Sequence, residues 1–251
     1  MNDIYNNGSY LVTNPSLHTE DSGFKFEQIQ DFLDLIEIDN SQISILDVGG
    51  GAGVIGKKIC QYYHGKGLSV EFTAIDLSTE MLEIQQKNNP YIGKVINSSI
   101  CEIESGNYDL VLMIDVIEHI PDYVNTAKNI NNIARYVLYN IPIEINFFDI
   151  LRNIKMKGNY YRMQEKLIGH INRFSYFSCL KFINKNHVRV SNKFIGYYKH
   201  ILMSEHSNYK KLLESRQRKV EVLISQFIGK KISFLAPLLI QGSNYILARR
   251  K

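Results

Sequence analysis

Short apolar runs alternate with amphipathic stretches along the first 141 residues of the chain. Apolar runs of four to eight residues favour buried strands, and apolar residues three and four positions apart favour helices. The pattern predicts a first helix over Phe24–Ile38, and further helices over Val54–Tyr63, Ser78–Lys87 and Asp122–Ala134. It predicts strands at Ser44–Val48, Ser69–Ile75, Lys94–Asn97, Tyr108–Ile114 and Tyr136–Ile141. This alternation indicates an α/β fold with a parallel sheet covered by helices on both faces.

The pattern changes after Pro142. Residues 144–170 carry many aromatic and basic side chains, and we interpret them as a lid inserted between sheet elements. Beyond them we predict a helix over Tyr176–Asn184, a strand over His187–Ile195, further helix over residues 196–230, and a final strand over Gly242–Arg249. We expect one domain over residues 1–251, with an N-terminal cover and helix over 1–40 and cap insertions over 144–170 and 196–236.

Four glycines follow the first predicted strand within the run Ile45–Gly53. Glycine lets the backbone turn sharply and lets a ligand come close where a Cβ would prevent it, so the run is typical of a nucleotide-binding turn. A phosphate loop would continue with Gly-Lys-Ser/Thr, whereas Gly56 is followed by Lys57 and Lys58, which argues against a nucleoside triphosphate. The run Gly51–Gly56 also fits the dinucleotide pattern, so NAD remains a competing ligand here.

Acidic residues lie on both sides of this glycine turn. Asp76 ends the second predicted strand, where a carboxylate can accept hydrogen bonds from both hydroxyls of an adenosine ribose. That position suits NAD and S-adenosylmethionine equally. Asp47 lies directly before the glycines, where the pyrophosphate of a dinucleotide would meet its negative charge. A carboxylate there favours a ligand with a cationic amino group, such as the methionine part of S-adenosylmethionine.

With these residues the chain closely resembles the class I S-adenosylmethionine-dependent methyltransferases over about residues 24–141. The resemblance rests on Ile45–Gly53, on Asp76, and on Asn107–Ile120 as the motif of the fourth strand. It implies a Rossmann-like, mostly parallel seven-stranded sheet of order 3-2-1-4-5-7-6 with an antiparallel seventh strand, and S-adenosylmethionine as cofactor. The cofactor-binding residues on this sheet are then Asp47, Gly49, Gly51, Gly53, Asp76, Leu77, Ser99, Ile100, Ile114 and Asp115. The family often has an Asp after strand three to bind the adenine amino group, and this chain has Ser99 near that position instead.

Two outer segments resemble a subset of these enzymes that tailors surface sugars and secondary metabolites. The run Asn14–Ser22, together with Lys25, is similar to an N-terminal cover over the cofactor, which makes His18 and Lys25 candidate cofactor contacts. The run Gly169–Phe174 is similar to a motif that faces the methyl acceptor.

Methyl transfer is an in-line displacement that requires alignment of the acceptor atom and exclusion of water. A hydroxyl acceptor also needs a base, because a neutral alcohol is a poor nucleophile. His170 is the first candidate base, since it lies where this fold builds its acceptor pocket and histidine titrates near neutral pH. His119 is the second, with packing beside the cofactor as its alternative role. Asp115, Glu118 and His119 together offer too few ligands to indicate a metal site, so we predict no metal.

Arginine and tyrosine side chains beside the candidate base could bind an anionic or sugar-like acceptor. The predicted substrate-binding residues are Asn172, Arg173, Tyr160, Tyr161 and Arg162. We therefore expect O-methylation of a small polar, anionic acceptor, such as a sugar-, nucleotide- or phosphate-containing precursor of a capsule or other surface glycan. The alternatives are an N-methyltransferase of a small metabolite, an NAD-dependent oxidoreductase, and a non-catalytic binding module that keeps the cofactor fold.

Composition and charge limit the classes of binding partner that we expect for this chain. The net charge of +4 is spread over helices, whereas a nucleic-acid-binding protein would concentrate it in a stripe,. No apolar run approaches the roughly 20 residues of a membrane span, and no secretory signal is visible at the N-terminus. The three cysteines lie far apart, which suits a reducing cytoplasm,. We expect a cytoplasmic enzyme with a small-molecule substrate, no nucleic-acid partner and no membrane span, and we leave a homodimer open.

Overall fold

A computed structural model describes residue 17 and residues 19–103, 105–203 and 207–251 of the chain. Seven strands form one sheet in the order β3-β2-β1-β4-β5-β7-β6. The first five strands are parallel, and β7 runs antiparallel to both of its neighbours. The predicted fold class and strand order are confirmed. The strands are β1 (Gln42–Val48), β2 (Ser69–Asp76), β3 (Ile92–Asn97), β4 (Tyr108–Ile114), β5 (Ala134–Ile143), β6 (Val188–Gly196) and β7 (Gly242–Arg249).

Helices cover the sheet and continue beyond its carboxyl edge. In the N-terminal half they are α1 (Ser22–Leu33), α2 (Val54–Gly65), α3 (Thr79–Asn88) and α4 (Tyr123–Ile133). In the C-terminal half they are α5 (Phe147–Lys155), α6 (Asn159–Ile168), α7 (Tyr176–Asn186), α8 (Tyr197–Met203), α9 (Ser207–Leu212), α10 (Arg216–Lys231) and α11 (Ala236–Leu239). Among the described residues, no helix is long and apolar enough to cross a membrane.

The central strands are apolar on both faces because each face is covered by helices. On β1, Ile45 belongs to a buried cluster with Phe32 of α1 and Ile59 of α2. The next residue, Leu46, points to the opposite cluster, which contains Ile130 of α4 and Ile183 of α7. This period of two fixes the register of β1, because a slip of one residue would exchange the two faces.

Strand β5 runs through Pro142 and ends at Ile143, two residues beyond the predicted end at Ile141. The pairing of β4 with β5 stops at Asn140, whereas β7 remains paired along β5 to Ile143. Proline is tolerated here because one side of the strand no longer has a partner that needs its missing N–H. The first residue after the strand is therefore Glu144, which lies at the carboxyl edge of the sheet.

The segments predicted as cap insertions form helices that pack on each other. Residues 144–170 hold α5 and α6, and residues 196–236 hold α8, α9, α10 and the start of α11. A third apolar cluster joins them through Tyr198 of α8, Val222 of α10, Ala236 of α11 and Phe148 of α5. The division into domain and cap stays a prediction. Much of the predicted N-terminal cover, including His18, lies outside the described residues.

Candidate active site

Three cavities meet at the carboxyl edge of the parallel strands. We name them the glycine cavity (about 110 Å³), the side cavity (about 190 Å³) and the large cavity (about 450 Å³). Asp115, at the end of β4, lines all three. Ligands in open α/β sheets bind at this edge, where the strand order reverses between β1 and β4,.

The glycine cavity is formed by the turn between β1 and α2. Gly49, Gly51 and Gly53 have positive φ angles of 59°, 56° and 78°, a region that other residues rarely adopt,. A Cβ on Gly51 would have no protein atom within 4 Å, so the backbone there faces open space. A Cβ on Gly53 would lie 3.0 Å from the carbonyl oxygen of Gln85, so this glycine allows the turn to pack on α3.

Asp47 lies beneath this turn, 4% exposed, and it lines the glycine cavity together with Ile114. Burial, with a smaller contribution from the charge of Asp76, raises the pKa of Asp47 to about 7. A cationic group bound in the glycine cavity would favour the ionised form of this carboxyl and be attracted by it.

Asp76 ends β2 and lines the side cavity. Its Oδ1 accepts a hydrogen bond from the backbone N–H of Ser78 at 3.0 Å, and its Oδ2 accepts one from Gln85 at 3.3 Å. Burial raises the pKa of Asp76, and these hydrogen bonds oppose that effect. The carboxylate is thereby oriented, and each oxygen keeps acceptor capacity for a ligand.

The other residues predicted around an adenosine lie in the same cavity. Leu77 is 41% exposed and forms part of its wall. Ser99 and Ile100 line the opposite side, where the Ser99 hydroxyl accepts from the N–H of Cys101 at 3.2 Å and begins a short helix over Ile100–Glu102. The side cavity thus brings together four predicted cofactor contacts from two strand ends.

Asp115 is held in a strained backbone conformation with a φ of 56°. Its carboxylate accepts hydrogen bonds from Lys25 at 2.7 Å and from Asn140 at 2.6 Å. Burial alone would raise the pKa of Asp115, but the attraction of Lys25 outweighs it and the pKa is lowered. The predicted Lys25 is therefore part of the site, and it lines both the glycine cavity and the large cavity.

His119 and His170 lie together in the wall of the large cavity, with ring centroids 4.9 Å apart. Nδ1 of His170 lies 2.8 Å from Oε1 of Glu144, and its Nε2 lies 4.0 Å from Oε1 of Glu118. Nδ1 of His119 lies 3.0 Å from the carbonyl oxygen of Gly169. The structure therefore brings the two predicted catalytic histidines together and adds two carboxyl groups to them.

Burial controls the charges of this cluster. It raises the pKa of Glu118 to about 8, with a further contribution from Asp115, and it lowers the pKa of His119 to about 4, helped by His170. For His170, burial also acts to lower the pKa, but the hydrogen bond that its ring donates to Glu144 and the charge of Glu118 prevail and raise it. Near neutral pH, His119 is therefore uncharged, and Glu118 binds its proton more tightly than an exposed glutamate does.

Tyr160 lines the large cavity, whereas the other four predicted substrate-binding residues do not. Tyr161 donates its hydroxyl to the carbonyl of Glu144, and Asn172 donates its amide to the carbonyls of Ile117 and Ile120. Arg173 binds the carbonyl of Tyr161 and the carboxylate of Glu165. Arg162 is exposed. Asn172 and Arg173 hold the Gly169–Phe174 segment in place.

Sequence reasoning missed several side chains of the large cavity. They are Glu144 and Asp149, together with Tyr197, His200, Tyr209, Arg218 and Glu221. Glu118, which was weighed from sequence only as a metal ligand, lines the large cavity as well. Glu144 had a usable signal, because it follows β5 as Asp115 follows β4, and the carboxyl ends of parallel strands meet at one edge. The residues of α8 to α10 had no such signal in the sequence, because their position at the large cavity depends on how those helices pack.

A family model described as a methyltransferase domain matches residues 22–179, more than half of the chain. The chain belongs to this methyltransferase family. The matched part of the methyltransferase domain contains the glycine turn and the carboxyl ends of the five parallel strands, as well as the histidine cluster.

Individual relatives are distant. The chain is 29% identical to a ubiquinone biosynthesis O-methyltransferase of Burkholderia ambifaria over 82 residues, which are 30% of this chain and 33% of the relative. The match therefore spans a third of the length of that curated relative.

Solved structures share the fold of the methyltransferase domain. A phosphoethanolamine N-methyltransferase 2 of Haemonchus contortus, solved with S-adenosylhomocysteine, has a TM-score of 0.58 and 15% identity, over 89% of this chain and 52% of that one. Geranyl diphosphate C-methyltransferase of Streptomyces coelicolor has a TM-score of 0.58 and 9% identity, over 90% and 81%.

Proposed function

We propose that the chain is an S-adenosylmethionine-dependent O-methyltransferase of a small polar acceptor. The observation that carries this proposal is the meeting of the three cavities at Asp115. A cofactor that fills the glycine and side cavities has its centre beside Asp115, and that centre faces the large cavity. A transferable methyl group there is within reach of an acceptor bound beside His119 and His170.

The cofactor divides naturally between the two smaller cavities. Its adenosine fits the side cavity, with the ribose hydroxyls donating to Asp76 and the adenine between Leu77 and Ile100. Its methionine amino group fits the glycine cavity, where Asp47 is the buried carboxyl group. A pyrophosphate in the glycine cavity would instead meet Asp47, so NAD is disfavoured on electrostatic grounds.

The large cavity favours a neutral, hydroxyl-bearing acceptor over an anionic one. Its arginines are already paired with carboxylates, since Arg152 binds Asp149 and Glu221, and Arg218 binds Glu221. The carboxyl groups of Glu118 and Glu144 keep oxygens without a hydrogen-bond partner among the described residues, and such oxygens accept from hydroxyls,. The sequence-based preference for an anion is therefore not part of this proposal.

In the reaction, an acceptor oxygen forms a bond to the methyl carbon while the carbon–sulfur bond breaks. The sulfonium becomes the neutral thioether of S-adenosylhomocysteine, and the hydroxyl proton is released. We assign the activation of this hydroxyl to the cluster of His119, His170 and Glu118. The finer substrate, a sugar-containing precursor of a surface glycan that offers a neutral hydroxyl, rests on the resemblance of Gly169–Phe174, and the matched relative is itself named an O-methyltransferase.

Calorimetric titration tests the cofactor, with S-adenosylhomocysteine and NADH as competing ligands. We expect saturable binding of S-adenosylhomocysteine, and binding of NADH alone would contradict the proposal. Methyl transfer from labelled S-adenosylmethionine to a panel of sugars, nucleotide sugars, phenols and amines tests the reaction. Transfer to amines alone would make the chain an N-methyltransferase, and cofactor binding without transfer to any class would favour a binding module. The homodimer, the cytoplasmic location and the absence of a nucleic-acid partner stay predictions.

A further inference from the structure

We propose that Glu118, His119 and His170 form a binding site for one divalent first-row transition-metal ion at the wall of the large cavity. One ligand atom from each of these residues lies within 4.8 Å of the other two. Ligand atoms around a single ion are about 3–4 Å apart when each bond is about 2.1 Å long, so closure onto an ion needs side-chain shifts of about 1 Å. Two imidazoles with one carboxylate form a donor set that suits Mn²⁺, Fe²⁺, Co²⁺ or Zn²⁺ and leaves coordination positions open.

The carboxyl group of Glu118 supplies the strongest argument. The residue is 0% exposed, and neither of its oxygens has a hydrogen-bond partner among the described residues. A buried polar group without a partner is costly, and a buried carboxylate is normally paired with a cation or coordinated to a metal. Nε2 of His170 lies 4.0 Å from Oε1, which is beyond hydrogen-bond distance. A cation between these atoms would satisfy both.

The histidines carry the outer hydrogen bonds that metal-binding histidines usually have. Such a histidine donates its second ring N–H to a carboxylate or a backbone carbonyl, which fixes both tautomer and orientation. Here Nδ1 of His170 lies 2.8 Å from Glu144, and Nδ1 of His119 lies 3.0 Å from the Gly169 carbonyl. With the proton of His170 on Nδ1, its ion-binding lone pair is on Nε2, the ring nitrogen that lies towards Glu118.

Asp115 is not part of this set, although it precedes Glu118 by three residues. Its two oxygens are engaged by Lys25 and Asn140. The third ligand is instead His170, which the loop after α6 brings back to the end of β4. The sequence motif Asp115–His119 therefore contains two of the three proposed ligands, Glu118 and His119. Its third acidic or histidine side chain, Asp115, is not a ligand in this proposal. The metal-free site that we predicted from sequence followed from that incomplete set.

The role of the ion rests on the proposed function. An acceptor hydroxyl in the large cavity would occupy an open coordination position, and a bound divalent ion lowers the pKa of a coordinated hydroxyl group. His119 and His170 then act on the acceptor through the ion. Binding of the ion is measurable without any acceptor, so its failure and the failure of methyl transfer can be told apart.

Titration of the metal-free full-length chain with Co²⁺ tests the site, because Co²⁺ bound to imidazole and carboxylate gains visible absorption. We expect one ion per chain with a dissociation constant below about 10 µM, and Mn²⁺ or Zn²⁺ should displace it. E118Q and H170Q should each weaken binding at least 100-fold. The matched control is E165Q, which replaces a half-exposed carboxylate that pairs with Arg173, and it should bind as the wild type does.

Thermal unfolding with and without the ion provides a second measurement on the same proteins. An ion that binds only the folded state raises the melting temperature of wild type and E165Q, and it leaves E118Q and H170Q unchanged. Should E118Q fail to fold, H170Q alone decides. Stoichiometric binding that both variants retain, or no saturable binding by wild type below 1 mM, would overturn the proposal. If S-adenosylhomocysteine binding and methyl transfer persist in that case, the proposed function stands without the ion.

Discussion

The cofactor side and the acceptor side of this site have different origins in the chain. The glycine and side cavities are lined mostly by residues between Asp47 and Ile120, at and just beyond the ends of β1, β2, β3 and β4. The large cavity takes its side chains from α1, the ends of β4 and β5, and the helices between α5 and β7. The first is a property of the sheet edge, whereas the second depends on how remote helices pack.

The two sides also differ in how their carboxyl groups are satisfied. Asp76 is oriented by its own strand end and by α3, so it is prepared for a ligand without help from the cap. Glu118 and Glu144 are buried and keep oxygens without partners among the described residues. The difference teaches that one fold can keep a fixed cofactor site while its acceptor site changes with the inserted helices.

The largest expected effect is a loss of kcat in H170Q, on the acceptor side, without a loss of cofactor affinity. H170Q should lower kcat for the acceptor found by panel screening by about 10²- to 10⁴-fold, because the cluster that activates the hydroxyl loses a member. Its affinity for S-adenosylhomocysteine should stay within about twofold of wild type. H64Q, at an exposed histidine of α2, is the control and should keep full activity. A loss of cofactor affinity as large as the loss of kcat would contradict the division of the site into a cofactor side and an acceptor side.

D76A should act on the opposite side. It removes the acceptors for two ribose hydroxyls, so the dissociation constant for S-adenosylhomocysteine should rise about 100-fold, as measured by calorimetry. E71A replaces an exposed carboxylate on the same strand and should bind normally. Unchanged affinity in D76A would contradict the ribose contact and with it the placement of the adenosine.

D47N should change the pH dependence of stability on the cofactor side of the site. The pKa of Asp47 is about 7 in the folded protein against 3.8 as its ordinary value, so the folded state binds its proton more tightly than the unfolded state does. Stability from this group is fully present below pH 3.8 and is lost as pH rises through 7. Urea unfolding of the cofactor-free protein should therefore show the stability of D47N rising relative to that of wild type up to about pH 7, by about 4 kcal/mol.

The same D47N variant should bind S-adenosylhomocysteine about tenfold more weakly at pH 7.5, because the cationic amino group loses its carboxylate. E80Q, an exposed carboxylate in the first turn of α3, provides the comparison and should change neither quantity. A D47N protein that gains no stability at alkaline pH would show that Asp47 is ionised and paired in the empty site.

The smallest expected effects compare two glycines of one turn. G51A places a Cβ in open space of the glycine cavity, so it should weaken S-adenosylhomocysteine binding about tenfold and cost about 1 kcal/mol of stability through its positive φ. G53A places a Cβ 3.0 Å from the Gln85 carbonyl, so it should cost more stability and less affinity. Thermal unfolding and calorimetry on both proteins check the order, and a reversed order would contradict the position of the ligand.

The sheet could be predicted from sequence because its strands are short, apolar and locally marked. Strand β4 was predicted at its observed bounds, Tyr108–Ile114, and β1 and β2 within two residues. Each is buried on both faces, so the apolar run itself carries the information. Strand β5 was predicted too short because Pro142 signals a break, whereas the loss of the β4 partner at that point removes the penalty.

The acceptor site could be predicted only in part. His119 and His170 were predicted, but Glu144 was hidden behind Pro142, and the ion pairs of Arg152 were not predicted. In the structure Arg152 is paired with Asp149 on its own helix and with Glu221 of α10, which is 69 residues away. No local pattern gives the pairing with Glu221, because it depends on the packing of two helices. The character of the acceptor changed from anionic to neutral for this reason.

A crystal structure with S-adenosylhomocysteine would test the central claim most directly. We predict the ribose hydroxyls within hydrogen-bond distance of Asp76, the amino group beside Asp47, and the sulfur next to Asp115 with its open side towards His119 and His170. A ligand whose sulfur faces away from the large cavity, or one bound outside the glycine and side cavities, would contradict the account.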